Sequence, residues 1–229
     1  MATRHVLAEL AAGFERCSGH RVALQAVGGV DAAQRVQAGE VFDVVLLAAD
    51  AINQLMAAGH VQAGSRVDIV KSPVAVAVQA GALRSGFVPD ISSEAAFRAT
   101  VLAARSISFS TGPSGVYLTQ LFERWGITAA VAPRMVQAPP GVPVGSLLSH
   151  GEVELGFQQL SELMHVPGIT VLGVLPGQAA FITTFSAAVG LGPGLAPGTA
   201  QHRAVADLLA SFTSPEAAET KRRHGMEPA

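Results

Sequence analysis

The sequence predicts an α/β protein of two lobes, each a parallel sheet wrapped by helices. Apolar segments of strand length alternate with segments of helical periodicity. Apolar residues make up 49% of the 229 residues and charged residues 14%, which is ample material for a core. Two long extended runs, 72–82 and 180–192, bracket a middle rich in such alternations. They predict strands that cross between the lobes, with lobe 1 formed by 1–76 and 182–229 and lobe 2 by 77–181.

The helices and strands of lobe 1 are predicted from the spacing of apolar residues and from the residues that typically begin and end helices. Val6, Leu10 and Phe14 recur at helical spacing, and Gly19 offers a C-cap, so a helix is expected over 4–18. The continuous apolar run 42–49 is typical of a strand buried on both faces of a parallel sheet. The other elements expected here are a strand at 21–27, a helix at 30–39, a helix at 51–59 with Asp50 as N-cap, and C-terminal helices at 200–212 and 215–224, the second begun by Ser214 and Pro215.

Lobe 2 is predicted to continue the alternation. A loop over 83–93 leads to a helix at 93–104 and then to the stretch SISFSTGPSGVYLTQLFERWG, residues 106–126. That stretch combines a short apolar strand, a turn of small residues and an amphipathic helix. The remaining expected elements are strands at 133–138, 153–157 and 169–175, with helices at 142–150 and 158–164.

Composition narrows the classes of function. A net charge of −2 with one Trp and one Tyr argues against nucleic-acid binding. No phosphate-loop motif occurs, the histidines are scattered singly, and Cys17 is the single cysteine, so no cofactor or metal site is expected. The N-terminus lacks an uninterrupted apolar signal core, and no apolar run could span a membrane. The sequence as written therefore predicts a cytoplasmic protein, or a periplasmic one if the N-terminus is truncated or mis-assigned.

Four small-residue turns each follow a predicted strand and precede a predicted helix. In an open parallel sheet, ligands bind at the carboxyl ends of the strands, where helix N-termini offer unpaired N–H groups to anions. Each turn is also explicable as an ordinary loop, whereas the four together favour a ligand site. The predicted ligand-binding residues of these turns are Gly28, Gly29, Val30, Ala48, Ala49, Ser110, Thr111, Ser114, Gly115, Val116, Gly141 and Val142.

Two glutamines complete the predicted site. Gln158 and Gln159 lie just after the predicted strand 153–157, where their amides can orient a carboxylate or an oxyanion. A polar pair at a helix start is equally common without a ligand. For a catalytic base no residue stands out, and Tyr117, Glu162 and His165 are weak candidates near the turns.

The chain resembles the molybdate-binding-protein-like group of periplasmic solute-binding proteins over residues 20–190. The matching pieces are QAGEVFDVVLLAADAINQLMAAGHV, SPVAVAVQAGA, PDISSEAAFRATVLAARSISFSTGPSGVYLTQLFERWGI and GEVELGFQQLSELMHVPGITVLGVLP. The resemblance implies a type II periplasmic-binding-protein fold in which two lobes hold a small anion in the cleft between them. It also implies a first strand before the helix at 4–18, and that strand is missing from the sequence as written.

Three functions remain open from these observations. The first is a solute-binding protein for a small anion, either a molybdate-like oxyanion or an organic acid, with an ABC transporter permease as a partner if the protein is exported. The second is an isomerase, since the same family has a branch similar to aconitate isomerase, which moves the double bond of an unsaturated tricarboxylic acid. The third and weaker one is a cytosolic ligand-sensing domain.

Overall fold

The structure is a computed structural model that describes residues 1–81 and 89–229. Part of the expected loop 83–93 and the last residue of the expected run 72–82 lie outside the described residues. Backbone proximity divides the chain into two compact units, with unit 1 formed by Met1–Lys71 and Thr184–Ala229 and unit 2 by Ser72–Thr183. The chain leaves unit 1 five residues before the predicted boundary and returns to it two residues after the predicted one.

Helices and strands alternate along the chain. They are α1 (Arg4–Ser18), α2 (Gly29–Gln37), β1 (Val44–Ala48), α3 (Ala49–Ala57), β2 (Val67–Gln79), α4 (Glu94–Ala103), β3 (Ile107–Phe109), α5 (Pro113–Arg124), α6 (Thr128–Val131), β4 (Met135–Gln137), α7 (Val144–Ser149), β5 (Leu155–Gln159), α8 (Leu160–Leu163), β6 (Ile169–Val174), β7 (Ile182–Val189), α9 (Ala200–Thr213), α10 (Ala217–Arg223) and β8 (Glu227–Pro228).

Unit 1 packs its helices on antiparallel ladders. β1 runs antiparallel to β7, with Val44 opposite Val189, and the first part of β2 runs antiparallel to β8. One core cluster joins α1, α9 and α10 to this sheet, and a second joins α2 and α3 to β1. The first cluster therefore draws on residues from both ends of the sequence.

The expected strand at 21–27 is wrong. This segment forms no ladder with any described strand, and Leu24 within it is 45% exposed. An alternating apolar pattern makes a strand only when a neighbouring strand takes up its hydrogen bonds. The Val22 N–H instead donates to the Glu15 carboxylate of α1, at 2.7 Å.

Unit 2 is built on a mixed sheet with helices on both faces. β3 lies between β4 and β5 and runs parallel to both, whereas β2 runs antiparallel to β5 and to β6. Alternate residues of β2 face opposite sides of the sheet. Val74, Val76 and Val78 face the cluster that contains α4 and α5, while Ala75 and Ala77 face α7 and α8.

Among the described residues, parallel pairing is thus confined to β3, β4 and β5, and the expectation of parallel-sheet lobes is corrected to antiparallel ladders in unit 1 and a mixed sheet in unit 2. An apolar run indicates burial on both faces but carries no information on the direction of the neighbouring strand. Two expected N-caps also differ. Asp50 lies inside the first turn of α3, whose N-cap is Ala48, and Ser214 ends α9 while Glu216 precedes α10.

Candidate functional site

The turn between β3 and α5 gathers hydroxyl groups at the carboxyl end of the unit 2 sheet. The Ser110 hydroxyl lies 3.1 Å from the Ser114 hydroxyl and accepts a hydrogen bond from the Gly112 N–H at 3.3 Å. Ser114 is 1% exposed and Thr111 is half-buried. These contacts fix the turn and leave each hydroxyl further hydrogen-bonding capacity.

The start of α5 suits a negatively charged group. The N–H groups of Gly115 and Val116 donate to the Gly112 carbonyl, whereas the Ser114 N–H has no partner in the described part of the chain. Pro113 occupies the first helical position, and the first turn contains no acidic residue. The helix dipole and the free N–H therefore favour an anion at Ser114.

Gly115 lets the helix approach the strand. A Cβ atom at this position would lie 1.8 Å from the Ser110 backbone oxygen and 3.1 Å from the Phe109 ring. Only glycine fits such an approach, and the position of the Ser110–Ser114 turn depends on it.

Gln158 is the penultimate residue of β5 and not, as expected, the start of a helix. Its side-chain oxygen accepts a hydrogen bond from the Val144 N–H at 3.0 Å, at the start of α7, and its side chain is also hydrogen-bonded to Glu162. Both ends of this amide are therefore engaged within unit 2, and its first role is to hold α7 and α8 on the sheet.

Glu162 is a half-buried carboxyl group on α8. Burial raises the pKa of Glu162, and the hydrogen bond from Gln158 opposes that rise. A carboxyl group whose pKa is raised keeps its proton to a higher pH than an exposed one, which is a property of many general acids.

Gln159 ends β5 and is 2% exposed. Its amide nitrogen donates to the Thr183 hydroxyl at 2.7 Å, while its amide oxygen has no partner among the described residues. Gln159 shares the sheet face of Phe157 and Val74, which is the face covered by α5. It therefore lies on the same side of the sheet as Ser114.

Gly141 and Val142 lie in the turn between β4 and α7. Gly141 has a φ of +80°, a conformation that favours glycine, and Val142 is 37% exposed. Because β4 runs parallel to β3, this turn leaves the sheet at the same edge as the Ser110–Ser114 turn.

The predicted site residues of unit 1 lie at two helix starts that already carry carboxylates. Gly28 is the N-cap of α2, Gly29 is its first residue and Val30 is 51% exposed. A Cβ atom at Gly28 would lie 3.2 Å from a carboxylate oxygen of Asp31. At the second start, Ala48 is the N-cap of α3, Ala49 is its first residue and Asp50 lies in the first turn. The carboxylates of Asp31 and Asp50 thus supply the negative charge that a helix N-terminus favours.

Tyr117 and His165, the other two weak candidates for a catalytic base, lie in surroundings different from those of Glu162. The Tyr117 hydroxyl donates to the Ala179 carbonyl at 3.2 Å, and its ring stacks on Phe181 with a centroid separation of 4.0 Å. The same hydroxyl accepts a hydrogen bond from Arg124. Tyr117 therefore supports the packing of α5, and His165 is an exposed residue after α8.

Three buried polar residues of unit 2 were not predicted from the sequence. Ser72, Ser161 and Thr183 are all buried, and the hydroxyls of Ser72 and Ser161 have no hydrogen-bond partner in residues 1–81 and 89–229. Ser72 follows Lys71 in β2 and Thr183 precedes Thr184 in β7, so neither residue stood out from its strand in the sequence.

The described residues contain neither a membrane-spanning helix nor a group of side chains suited to a metal ion. In that part of the chain no helix is both long and apolar enough to cross a membrane. Likewise, no three acidic, histidine or cysteine side chains there converge in a way that could hold a metal ion.

Known proteins resemble the chain in sequence and in structure. A Pseudomonas aconitate isomerase is 37% identical over 229 residues, covering 96% of this chain and 82% of that protein. The periplasmic molybdate-binding protein of Azotobacter vinelandii has a TM-score of 0.74 at 19% identity, covering 99% of this chain and 96% of the other. Peb3 of Campylobacter jejuni, in a structure with L-phospholactate, has a TM-score of 0.71 at 11% identity and covers 100% of this chain and 96% of its own.

These structural likenesses establish the periplasmic-binding-protein fold that the resemblance implied. The family model for bacterial extracellular solute-binding proteins matches residues 1–227, nearly the whole sequence. The chain therefore belongs to the bacterial extracellular solute-binding protein family.

Proposed function

We propose that this protein binds a small organic acid, with one carboxylate held by the Ser110–Ser114 turn of unit 2. The observation that carries the proposal is the start of α5, where a free N–H and two hydroxyls converge without an acidic residue. Such a site holds a carboxylate without a lysine or an arginine. The helix starts of unit 1 are less suited to a carboxylate, because Asp31 and Asp50 there disfavour a second negative charge.

An organic acid is preferred to a metal oxyanion because of the sequence relative. The aconitate isomerase is 37% identical, whereas the molybdate-binding protein is 19% identical and supports the fold alone. Partnership with an ABC transporter permease stays a prediction.

A ligand titration tests the proposal. Calorimetry and thermal unfolding with trans-aconitate, cis-aconitate, citrate, molybdate and tungstate should show binding of an organic acid, with a stabilisation that grows as RT ln(1 + [L]/Kd). Ser114→Ala should weaken that binding by about 1–3 kcal/mol, the usual value of a hydrogen bond to a charged group. Thr119→Ala is the matched control, since this hydroxyl lies further along α5 and donates to the Val116 carbonyl.

Two results would contradict the proposal. Binding of molybdate or tungstate without any organic acid would restore the oxyanion alternative. An organic acid that binds Ser114→Ala as tightly as the wild-type protein would remove the α5 turn from the site.

A second candidate function is isomerisation of aconitate, favoured by the 37% identity to the Pseudomonas enzyme. In that reaction a proton leaves the methylene carbon, the double bond moves by one position, and a proton returns to the former alkene carbon. One carboxyl group can perform both transfers if its pKa lies close to neutral. Glu162 is the best candidate for this role, because it is half-buried, its pKa is raised by burial, and Gln158 holds it in place.

Turnover of cis- and trans-aconitate, followed by proton NMR, tests this second candidate. Glu162→Gln should lower the rate of interconversion by about a hundredfold or more, as expected for loss of a general base, while trans-aconitate still binds. Tyr117→Phe should leave the rate within a few-fold, since its hydroxyl is engaged by Ala179 and Arg124. Unchanged turnover in Glu162→Gln would exclude this carboxyl group, and no turnover by the wild-type protein would exclude the activity.

A further inference from the structure

The Gln159 side chain of unit 2 is hydrogen-bonded at one end only. Gln159 is 2% exposed and Thr183 is 4% exposed. The Gln159 amide nitrogen donates to the Thr183 hydroxyl at 2.7 Å, and the amide oxygen has no partner among the described residues. Leaving a buried polar group without a partner costs free energy, so the free end of this amide points to a functional role.

The hydrogen bond from Gln159 to Thr183 crosses a strand. Val74 of β2 lies opposite Gln159 of β5, and the Val74 N–H donates to the Phe181 carbonyl, away from β5. Thr183 follows Phe181 by two residues. The segment with Phe181 and Thr183 and the strand β5 therefore lie on opposite edges of β2, and the Gln159 side chain passes over β2 to reach the hydroxyl.

The same glutamine begins beside the Ser110–Ser114 turn. Phe157 of β5 is paired with Phe109 of β3 in a parallel ladder. Gln159 follows Phe157 by two residues. Thr111, in the turn, follows Phe109 by two as well, so both lie at the same level of the sheet. Because side chains alternate along a strand, Gln159 lies on the face of Phe157, which is the face covered by α5.

The spacing between the turn and the amide suits an acid with two polar groups. Strands β3 and β2 lie on the two sides of β5. Because neighbouring strands are about 5 Å apart, the turn after β3 and an amide above β2 are separated by roughly 10 Å. With a hydrogen bond of about 3 Å at each end, a small acid with two polar groups spans this separation, and a single carboxylate does not.

The chemistry of the anchor leaves the free end adaptable. A threonine hydroxyl both donates and accepts, so Thr183 holds the Gln159 amide in either orientation. The free end is then an NH2 group, which donates to a carboxylate, or a carbonyl, which accepts from a hydroxyl group.

We propose that Thr183 is a positioning residue of the ligand site, which anchors the Gln159 amide so that its free end contacts a second polar group of the organic acid. The proposal rests on the proposed function, because the Ser110–Ser114 turn is taken to hold the first carboxylate. Thr183 acts through Gln159 and does not touch the ligand. The pair makes the protein selective for acids with more than one polar group.

Calorimetric titration with trans-aconitate, which has three carboxylates, tests the role of Thr183. Thr183→Val removes the hydroxyl at nearly constant volume and should weaken binding by about tenfold, as for loss of one hydrogen bond to a charged group. Thr183→Ser keeps the hydroxyl and should bind within about twofold of the wild-type protein. Crotonate, which has one carboxylate, should bind both variants as it binds the wild-type protein.

A double-mutant cycle shows whether Thr183 acts through Gln159. Gln159→Met removes the amide and should itself weaken trans-aconitate binding by about tenfold. Adding Thr183→Val to Gln159→Met should weaken binding further by about twofold at most, because the anchored group is gone. A threonine with a merely structural role would lower the affinity by the same factor in both backgrounds.

Two glutamines of unit 2 provide a matched pair of charge variants. Gln79 ends β2 and follows Val78, which lies opposite Leu155 at the start of β5, so it lies at the other end of this ladder from Gln159. The Gln79 amide donates to the Ser149 carbonyl at 3.4 Å. Gln159→Glu should weaken trans-aconitate binding by at least about tenfold at pH 8, through repulsion between carboxylates, and Gln79→Glu by about twofold at most.

The outcomes separate this proposal from the proposed function. If Ser114→Ala weakens binding while Thr183→Val and Gln159→Met leave it unchanged, the amide lies outside the site and the proposal is overturned. It is also overturned if Thr183→Val acts equally in both backgrounds, or if Gln79→Glu weakens binding as much as Gln159→Glu. If the wild-type protein binds no organic acid, the proposed function fails and the positioning role fails with it.

Discussion

At Gly115 the first turn of α5 comes so close to the end of β3 that a side chain has no room. The Ser110 backbone oxygen would lie 1.8 Å from a Cβ atom at this position. Gly112, three residues earlier, would place a Cβ atom 3.6 Å from the nearest atom, the Ser110 hydroxyl, which is an ordinary contact. The two glycines of one turn therefore differ in what they tolerate.

We predict that Gly115→Ala lowers the free energy of unfolding by at least about 2 kcal/mol, because the helix must move away from backbone that cannot yield. Gly112→Ala should cost less than about 1 kcal/mol. Guanidinium denaturation measures both, with the slope m expected to stay constant. Equal stability of the two variants would contradict the close approach of α5 to β3.

Lys221 of α10 is 1% exposed, and no carboxylate of the described residues pairs with its ammonium group. Burial lowers the pKa of Lys221 below its ordinary value of 10.5. The unfolded chain then binds more protons than the folded one between the two pKa values, so this group opposes folding most at pH values below its lowered pKa.

We predict that Lys221→Met stabilises the protein at pH 7 by about 0.5–2 kcal/mol, the range of typical stabilising substitutions. The gain should shrink as the pH rises toward 10.5, where the unfolded lysine also loses its proton. Thermal unfolding of both proteins from pH 6 to 10 measures the difference. A gain that grows with pH would have the wrong sign for a buried lysine.

Helices were predicted more accurately than strands. The expected helices at 4–18 and 93–104 agree closely with α1 and α4, because periodicity and caps are local properties. The strand expected at 21–27 does not form, because a strand needs a neighbouring strand and a local pattern does not show whether one is present. The helix α4 also shows a local signal that the structure makes testable, as its N-cap Ser93 accepts a hydrogen bond from the Ala96 N–H at 3.2 Å.

We predict that Ser93→Ala lowers the free energy of unfolding by about 1 kcal/mol through loss of the cap. Ser93→Asp keeps an acceptor at this position and should remain within about 0.5 kcal/mol of the wild-type protein. Urea denaturation compares the three proteins. If both variants lose the same stability, the cap of α4 contributes nothing.

The two units differ in which parts of the chain supply their cores. Both core clusters of unit 2 consist of residues between Val74 and Ala179. The larger cluster of unit 1 combines Val6 and Ile69 with Phe185 and Val205, which come from opposite ends of the sequence. Unit 2 is therefore one continuous segment with its own core, and unit 1 is not.

We predict that the fragment 72–183 folds by itself and unfolds cooperatively, since its hydrophobic clusters are complete. The fragment 1–71 should stay unfolded, because most of its core partners follow residue 183. Near-ultraviolet circular dichroism and amide NMR dispersion distinguish the two cases. A fragment 72–183 without a cooperative transition would show that unit 2 depends on the rest of the chain.

Some residues of the predicted site were placed correctly from nearby sequence, whereas the contacts of others depend on residues far away in the chain. The Ser110–Ser114 turn was predictable, because a short strand, small residues and an amphipathic helix follow one another directly. The assignment of Gln158 to a helix start was wrong, and the engagement of its amide by Val144 and Glu162 was invisible in the sequence. Those partners are set by the packing of α7 and α8 on β5.

Local sequence specifies the alternation of helices and strands and the turn of small residues at the start of α5. These features depend on residues within a few positions of one another, through hydrogen bonds, caps and periodicity. Only long-range packing fixes that β2 runs antiparallel to β5, and so that Val74 lies opposite Gln159. Strand direction and register come from hydrogen bonds between segments far apart in sequence, which a local pattern does not encode.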